Sequence, residues 1–471
     1  MNKQPNVIFI VVDTLRADHL KCYGYKKNIS PNIDKIAQQG VLFRNCFVNS
    51  IGTESAFTTI ATGISPFLHG ILKGTLQNSE DDKKRFIKLN FKMLAEIMKS
   101  KNYVTIGLDW LGRWHKKGFD FYYDPSDRDK KMKRERFLAS ILERFPRLKS
   151  FISKIYSKKL GFLRRKISGF TDGKLLTDLA LQMIEKNKDR KIFLFLHFWD
   201  VHSPYTCPKN FVIRSDLNNL KVEDMLQSIT NKKLADIYHA WWGKLRYTSE
   251  IIDLYDGCVN KVDFHIGRIY QKLNELRLLD NTILIITGDH GESMTEHGVY
   301  FTHHKLHDEI AHIPLIISYP PLANKNVINE SLIQQISITP TILDLLEISD
   351  IGYEFDGISL KSCLLKNKVL DTNFILIGAG DNGAEEYAIR TKKYKFIQLD
   401  HKNKCALCLE YHGNKDLLFD LKKDPLELNN ISEEKEEISQ EFRNLIAFTL
   451  KSLSRKKEEL VLRNKIKNIK L

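Results

Sequence analysis

Long hydrophobic runs are missing from this sequence. No apolar stretch reaches the roughly 18 residues that a membrane-spanning helix requires. The mean hydropathy is -0.31, with 42% hydrophobic and 28% charged residues. This composition indicates a globular chain and excludes the fibrous, disordered and membrane-embedded classes. The 471 residues suffice for a large hydrophobic core and for up to about three domains.

Cysteines are few, and their number is odd. The seven are scattered along the chain, as Cys22, Cys46, Cys207, Cys258, Cys363, Cys405 and Cys408. The first predicted strand, 7–12, begins too soon after the start to leave room for a signal peptide. These features predict a reducing, cytoplasmic location. Because no second cysteine pair lies near Cys405 and Cys408 in the sequence, we interpret them as ordinary thiols rather than as a zinc knuckle.

Acidic residues are in the minority. The 58 Asp and Glu residues face 73 Lys and Arg residues, which gives a net charge of +15. This balance favours an anionic partner, which could be nucleic acid, a phosphoester or an acidic membrane surface. The sequence contains no basic motif interleaved with aromatic residues and no recognised nucleic-acid module. We therefore expect an anionic substrate and no nucleic acid.

Short β-branched runs alternate with amphipathic helical stretches along most of the chain. Strands are predicted at 7–12, 103–107, 191–198, 281–287 and 314–318, and helices at 33–39, 94–99, 251–273 and 339–346. This alternation is typical of a mainly parallel sheet with helices on both faces. From about residue 370 the pattern changes to short strands and turns, followed by a helix. The sequence thus predicts an α/β fold with a smaller α+β C-terminal part.

These changes in pattern divide the chain into three segments. We expect a main domain over 1–370, a C-terminal α+β subdomain over 371–450 and a basic tail over 451–471 that forms a solvated helix. Within the first segment, residues 127–168 combine Lys and Arg with apolar positions at helical spacing, interrupted at Pro146. We interpret this stretch as an insertion that packs its apolar stripe on the main domain. Peripheral contact with an anionic membrane or a lipid-linked substrate is the alternative.

Acidic residues follow two of the predicted strands. Asp13 comes directly after 7–12, and Asp289 and His290 follow 282–287 through a single glycine. Ligands gather at the carboxyl ends of strands in parallel sheets. A lone Asp in this position is often a helix cap or a turn former, but a carboxylate next to an imidazole offers two metal ligands. We therefore predict a metal site that includes Asp289 and His290.

Histidines are concentrated in two further places. His197, Asp200 and His202 lie at or just after the strand at 192–196. The second run consists of His297, His303, His304 and His307, with Lys305 among them. Such crowding is unusual for 15 histidines in 471 residues. For His307, and for His312 beyond it, we favour an ordinary surface position.

Several motifs, in this order along the chain, resemble the sulfatase branch of the alkaline phosphatase superfamily. The matching segments are 6–20, 22–25, 30–34, 62–63, 69–70, 202–205, 280–292, 340–344, 356–357, 390–391 and 418–425. Each motif is weak alone, whereas their common order is specific. The resemblance implies an alkaline phosphatase-like sheet between helices, with 1–370 as the catalytic domain, and an enzyme that uses a divalent metal ion.

The position of the nucleophile departs from true sulfatases. In the family it lies nine residues before the Thr of a Thr-Gly pair, which is Thr62 here, so the corresponding residue is Thr53. True sulfatases carry Cys or Ser there, followed by Pro and Arg in the pattern Cys/Ser-x-Pro-x-Arg, and oxidise it to formylglycine. Residues 53–57 contain neither Pro nor Arg, so no formylglycine is expected. Ser50 and Ser55 remain alternatives through a shift in the alignment.

The resemblance also implies the metal ligands. Asp13, Thr53, Asp289 and His290 would surround one divalent ion. Thr14 stands where many sulfatases have a second Asp, and His290 stands where they commonly have Asn. Both changes favour Mn²⁺ or Zn²⁺, with Ca²⁺ or Mg²⁺ as less favoured ions.

On the substrate side, the resemblance assigns His202 to the non-bridging oxygens of the anion. A second group would bind the anion or protonate the leaving group, and His303 is our first choice, with His304 and Lys305 as alternatives. Asp200 could join His202 and His303 in a second metal site.

The resulting prediction is a metal-dependent hydrolase or transferase that acts on a phosphoric ester through a phospho-threonine intermediate. The ester could be a phosphodiester, a phosphonate or a phosphoglycerol or phosphoethanolamine group, and could be linked to a glycan or a lipid. One alternative is a sulfatase that works without formylglycine. The other is an inactive protein that binds an anion or a membrane.

Overall fold

The computed structural model describes residues 4–72, 80–123, 172–215, 219–319, 326–380, 385–405 and 407–469. The insertion expected at 127–168, with its two alternative roles, lies outside the described residues. Among the described helices, none is both long enough and apolar enough to cross a membrane.

A mixed sheet of eight strands forms the centre of the protein, which confirms the predicted α/β class. Its order is β4-β3-β5-β1-β6-β7-β2-β8, and within the described sheet β7 alone runs antiparallel to its neighbours. The strands are β1 (Asn6–Val12), β2 (Val41–Phe47), β3 (Val104–Leu108), β4 (Phe121–Tyr123), β5 (Ile192–Phe198), β6 (Thr282–Gly288), β7 (His312–Ser318) and β8 (Val327–Gln334).

Strand β1 shows why the apolar runs of this sequence become central strands. Val7, Phe9 and Val11 point into the hydrophobic core on one side of the sheet. Ile8, Ile10 and Val12 point into the core on the other side. Because successive side chains of a strand alternate between faces, a continuous apolar run can be buried only between two helical layers.

Helices cover both faces of this sheet. They are α1 (Pro31–Ala37), α2 (Thr53–Thr62), α3 (Pro66–His69), α4 (Glu80–Leu89), α5 (Leu94–Ser100), α6 (Gly173–Lys186), α7 (Val222–Ser228), α8 (Lys232–Trp242), α9 (Thr248–Glu275), α10 (Asp308–Ala311), α11 (Ile338–Leu345) and α12 (Lys361–Lys366). Helix α9 buries Ile251, Tyr255 and Val259 on the face that Val12 shares. Helix α2 buries Phe57 and Ile60 on the opposite face.

A second, antiparallel sheet of four strands lies in the C-terminal part, as the sequence predicts. Its order is β12-β11-β10-β9, with β9 (Ile375–Ala379), β10 (Glu386–Arg390), β11 (Tyr394–Gln398) and β12 (Leu417–Asp420). One face contributes Ile377 and Ala388 to the large core that includes Phe9. The other face packs Ile389 against Ile446 of the last helix. The small sheet is therefore held between the main domain and that helix.

The last helix, α13 (Glu436–Ile469), includes most of the basic segment 451–471 that the sequence predicts as a helical tail. The helix continues without a break through residue 450. Leu453 and Leu460 pack against the cluster that contains Leu68 and Phe91, and Lys456 forms an ion pair with Asp356. The apolar residues among the lysines were sufficient to anchor the helix, although its overall composition is basic.

A buried ion cluster joins the two parts of the molecule. Lys395 of β11, with 0% side-chain exposure, contacts Asp308 Oδ1 at 2.6 Å and Glu427 Oε1 at 3.2 Å. We expect Lys395→Met to lower the free energy of unfolding by about 3 kcal/mol, because buried Glu427 would lose its cation and Asp308 would keep only Arg390. The midpoint of urea unfolding measures this effect. The matched change Lys392→Met, at an exposed position, should alter stability by no more than about 0.5 kcal/mol. Equal midpoints for the two variants would contradict the assignment.

Candidate active site

The predicted acidic residues meet at the carboxyl edge of the central sheet. Val12, the last residue of β1, is paired with Phe198 of β5 and with Gly288 of β6. Asp13 and Asp289, which directly follow these paired residues of β1 and β6, therefore lie side by side at the edge of the sheet. Together with His290 they form a fully buried group whose ligand atoms all lie within 4.8 Å of one another.

The carboxylates of this group fit a cation. Within the described part of the chain, neither oxygen of Asp13 has a hydrogen-bond partner, and Asp289 Oδ2 has none either. Asp289 Oδ1 accepts hydrogen bonds from the backbone N–H groups of Thr14, at 3.0 Å, and His290, at 2.8 Å. Burial and the charge of Asp289 raise the pKa of Asp13 to about 6. His197, 3.4 Å from Asp13 Oδ2, offers these two buried carboxylates one positive partner, and a divalent cation would supply further positive charge.

His290 is oriented to join these carboxylates. Its Nδ1 lies 2.9 Å from the carbonyl oxygen of Gly291 and must donate a proton to it. The lone pair of Nε2 therefore faces the site, 3.4 Å from Asp289 Oδ2. Gly291 is required here, because a Cβ atom at this position would lie 2.2 Å from the backbone oxygen of Glu309.

Thr53 is the hydroxyl residue that faces the group. It is the first residue of α2, and its Oγ1 lies 3.2 Å from Nε2 of His290. Of its two sequence alternatives, Ser50 donates a hydrogen bond to the Leu72 carbonyl at 3.5 Å, and the buried Ser55 hydroxyl has no hydrogen-bond partner among the described residues. The helix N-terminus adds a positive electrostatic potential beside the Thr53 oxygen.

His202 and His303 lie close to the metal-ligand group. The rings of His303 and His290 have centroids 4.1 Å apart, and those of His202 and His303 are 5.9 Å apart. His202 stacks on Trp199 at 4.1 Å, and its Nδ1 donates to the Ser203 carbonyl at 2.8 Å. Burial lowers the pKa of His202 below its usual range. The structure thus brings both predicted substrate-side histidines together.

Glu292 orients His303 and was not assigned a role from the sequence. Its Oε1 lies 3.2 Å from Nδ1 of His303, and its Oε2 accepts a hydrogen bond from the Tyr205 hydroxyl at 3.0 Å. Burial opposes ionisation, but the His303 ring outweighs it, so the pKa of Glu292 lies below its ordinary value. The buried carboxylate thereby fixes the orientation of the His303 ring.

A buried histidine and a further aspartate complete the surroundings of Asp13. His197 Nε2 is 3.4 Å from Asp13 Oδ2, and its Nδ1 is 2.8 Å from Asp109 Oδ1. Although burial opposes it, the neighbouring carboxylates of Asp109 and Asp13 raise the pKa of His197 to about 10. Asp109 was missed from the sequence, although it follows β3 just as Asp13 follows β1. The same rule on strand ends would have found it.

The two residues predicted as alternatives to His303 make other contacts. His304 belongs to a group with Cys405, Cys408 and His412. Lys305 donates a hydrogen bond to the His297 carbonyl at 3.2 Å.

Among the described residues, Asp200 does not form the second metal site that the sequence suggested with His202 and His303. Asp200 Oδ1 accepts hydrogen bonds from Lys261 Nζ at 2.7 Å and from the Gly173 N–H at 3.2 Å. This carboxylate is therefore neutralised by a lysine and stabilises the start of α6. Its partners show that it serves a structural contact near the site.

The surface positions expected for His307 and His312 are wrong. His307 is 3% exposed and stacks on His297 with a centroid distance of 3.8 Å. His312 stacks on Phe47 and donates a hydrogen bond from Nε2 to the Arg44 carbonyl at 2.7 Å. Both rings lie between the central sheet and the C-terminal part, where packing against aromatic neighbours outweighs the polarity of imidazole.

The fold and the site together are those of a class of hydrolases built on an alkaline phosphatase-like sheet. Residues 5–348 match the family described as Sulfatase, and residues 295–456 match the family described as N-sulphoglucosamine sulphohydrolase, C-terminal. This chain therefore belongs to the sulfatase family of the alkaline phosphatase superfamily, which confirms the resemblance.

Individual relatives are similar over most of their length. An N-acetylglucosamine-6-O-sulfatase from Bacteroides thetaiotaomicron is 24% identical, over 91% of this chain and 83% of the relative. An N-acetylgalactosamine-6-O-sulfatase from the same organism is 24% identical, over 94% and 93%. The solved structure of a phosphonate monoester hydrolase from Agrobacterium radiobacter has a TM-score of 0.68 at 20% identity, over 96% of both chains.

Replacing His303 should slow the reaction without removing the metal-ligand group. We expect His303→Gln to lower kcat by about 10²-fold, because an oriented acid or charge next to the anion would be lost. Steady-state kinetics on the best substrate measure this loss. His239→Gln, an exposed histidine of α8, is the matched control and should retain full turnover. Equal kcat values for both variants would remove His303 from the reaction.

Proposed function

We propose that this chain hydrolyses an anionic ester and that the Thr53 hydroxyl is the nucleophile. The observation that carries the proposal is the 3.2 Å contact between Thr53 Oγ1 and Nε2 of His290, next to the unpaired carboxylates of Asp13 and Asp289. The whole group is buried in a sulfatase-family fold. A hydroxyl in such a position is a candidate nucleophile once its pKa is lowered.

Asp13, Asp289, His290 and Thr53 are the residues that would hold a divalent cation. When bound, such an ion would lower the pKa of the Thr53 hydroxyl and offset the charge of the ester. The mixture of carboxylate and imidazole ligands suits Mn²⁺ or Zn²⁺ better than Ca²⁺, which prefers oxygen ligands alone. Mg²⁺ also prefers oxygen ligands.

Other groups of the chain would stabilise the negative charge, contact the substrate and orient the histidine rings. The N-terminus of α2 directs backbone N–H groups and a partial positive charge towards the nucleophilic oxygen. His202 and His303 would contact the non-bridging oxygens and the leaving group. Glu292 and the Ser203 carbonyl hold these two rings in place through their Nδ1 atoms. The buried position of the site excludes most water, which strengthens each of these charge interactions.

We place a sulfuric ester of a sugar first among the substrates. The support comes from the relatives, since two that match most of the chain are named N-acetylglucosamine-6-O-sulfatase and N-acetylgalactosamine-6-O-sulfatase. This order reverses the one that the sequence predicts. It requires that sulfate be transferred to Thr53, or released, without formylglycine.

A phosphoric ester is the second candidate, and Thr53 itself supports it. A threonine has no thiol or primary alcohol that could be oxidised to formylglycine, whereas an alkoxide is a competent acceptor for a phosphoryl group. The phosphoryl group would then pass to water in a hydrolase or to an alcohol in a transferase. An inactive binding protein is disfavoured, because Asp13, Asp289 and His290 keep a geometry suited to a metal ion.

A substrate panel separates these candidates. Purified protein would be stripped of metal and reloaded with Mn²⁺, Zn²⁺, Mg²⁺ or Ca²⁺, then tested on aryl sulfate, N-acetylglucosamine 6-sulfate, aryl phosphate, aryl phosphodiester and aryl phosphonate. Release of sulfate that depends on the metal supports the first candidate, and cleavage of a phosphorus ester alone supports the second. No turnover with any metal would contradict the proposed hydrolase.

A further inference from the structure

Four potential metal ligands meet outside the active site. His304, Cys405, Cys408 and His412 each offer one ligand atom, and all four atoms lie within 4.8 Å of one another. His304 comes from the segment that carries His303, whereas the other three belong to the connection between β11 and β12. A tetrahedral zinc site with bonds of about 2.3 Å to sulfur and about 2.0 Å to nitrogen has ligand atoms about 3.3–3.8 Å apart. The group needs only a small contraction to reach this geometry.

His412 is oriented as metal-ligating histidines are. Its Nδ1 lies 2.9 Å from both oxygens of Glu386, a carboxylate in a residue that is only 2% exposed. The buried Nε2 has no hydrogen-bond partner among the described residues. A carboxylate on one nitrogen commonly fixes the tautomer and aims the other nitrogen at a metal ion. On the opposite side, Nδ1 of His304 lies 3.4 Å from Thr302 Oγ1.

The loop that carries the two cysteines is closed and anchored. The Cys405 N–H donates to the Glu410 carbonyl at 2.9 Å, and the Leu409 N–H donates to the Cys405 carbonyl at 2.8 Å. Asn231, from the connection before α8, donates a hydrogen bond to the Leu407 carbonyl at 2.6 Å. The turn places the thiols of Cys405 and Cys408 on the same side, three residues apart. This spacing is typical of cysteine pairs that bind zinc.

We propose that His304, Cys405, Cys408 and His412 bind one Zn²⁺ ion that fastens the segment carrying His303 to the C-terminal subdomain. Two thiolates and two imidazoles complete a tetrahedral coordination, so the ion has no open position for water and its role is structural. Because His304 is adjacent to His303, the ion fixes the backbone that presents a candidate active-site histidine. The site differs in its ligands from the group of Asp13, Asp289 and His290.

The proposal is tested by measuring the zinc content of a variant whose active-site metal ligands have been disrupted. The full-length Asp289→Asn chain, purified under reducing conditions and dialysed, should contain one equivalent of zinc by elemental analysis. Adding either Cys408→Ser or His412→Gln should reduce this content to a small fraction. Cys22→Ser, at a cysteine remote from the group in sequence, is the matched control and should keep the full equivalent. Circular dichroism checks that each variant is folded, and His412→Gln is the milder change should Cys408→Ser unfold.

Replacement by Co²⁺ provides a second readout that does not depend on activity. The Asp289→Asn chain loaded with Co²⁺ should show thiolate-to-cobalt charge transfer in the near ultraviolet and the intense visible bands of a tetrahedral ion, and Cys408→Ser should weaken both. Full zinc retention in Cys408→Ser and His412→Gln would overturn the proposal, as would a Cys405–Cys408 disulfide in protein never exposed to oxidant. Neither outcome depends on Thr53, so a failure of this zinc site would not contradict the proposed reaction, and a failure of the reaction would not contradict the zinc site.

Discussion

Thr53→Ala is expected to lower turnover by about 10³-fold or more. The variant removes the only proposed nucleophilic atom, and the groups around it cannot replace a covalent step. Thr53→Ser keeps the oxygen and loses one methyl group, so its kcat should stay within about tenfold of the unmodified chain. The comparison is made by steady-state kinetics on the best substrate of the panel, with the metal held at saturation.

Two further measurements make this test specific. The Thr53→Ala chain should still bind the divalent ion, because Asp13, Asp289 and His290 remain. Mass spectrometry of the acid-quenched reaction should find the transferred sulfuryl or phosphoryl group on the peptide that contains Thr53, and nothing on that peptide in the alanine variant. If Thr53→Ala turns over as fast as Thr53→Ser, the oxygen is not the nucleophile and a water molecule must attack directly.

Much of the candidate site could be predicted from the sequence because strand ends are visible in it. Asp13 and Asp289 follow uninterrupted apolar runs, and parallel strands bring their carboxyl ends to one edge. The pairing of Val12 with Gly288 then places the two carboxylates side by side. The rule that ligands gather at the carboxyl ends of parallel strands needs only the positions of the strands, so it can be applied without knowledge of the tertiary contacts.

Contacts between distant segments could not be predicted in the same way. His304 and His412 are separated by more than a hundred positions in the chain, and nothing local shows that β11 and β12 bring them together. The sequence therefore favoured ordinary thiols at Cys405 and Cys408, because no second cysteine pair lies near them. The burial of His307 and His312 has the same origin, because the small sheet covers residues that look exposed in the sequence.

The nucleophile illustrates how family and residue chemistry can give different answers. The sulfatase relatives favour a sulfuric ester, whereas Thr53 cannot follow the formylglycine route of true sulfatases. Thr14 is a second departure from true sulfatases. Its hydroxyl donates a hydrogen bond to the Val201 carbonyl at 3.0 Å, and its backbone N–H donates one to Asp289. Thr14, at the position where many sulfatases have a second Asp, therefore orients the candidate metal ligand Asp289.

Asp289→Asn is expected to abolish activity through loss of the metal ion. The asparagine can still accept the backbone hydrogen bonds of Thr14 and His290 at Oδ1, so local folding should survive. It replaces the unpaired Oδ2 atom by an amide N–H₂ group, which repels a cation. We expect metal affinity to fall by at least about 10²-fold and turnover to become undetectable. Isothermal titration calorimetry of the stripped protein measures the affinity.

The same substitution should have the opposite effect on the stability of the metal-free chain. Asp13 and Asp289 are both buried, and their mutual repulsion raises the pKa of Asp13 after the larger contribution from burial. Removing one charge relieves this repulsion, so stripped Asp289→Asn should unfold at a temperature equal to or above that of the stripped unmodified chain. With the proposed zinc site occupied in both proteins, adding Mn²⁺ at 100 times its Kd should stabilise the unmodified chain by about 2.7 kcal/mol and leave the variant unchanged. Asp280→Asn, an exposed position before β6, should keep the response to Mn²⁺. A variant that still gains stability from Mn²⁺ would show that Asp289 is not a ligand.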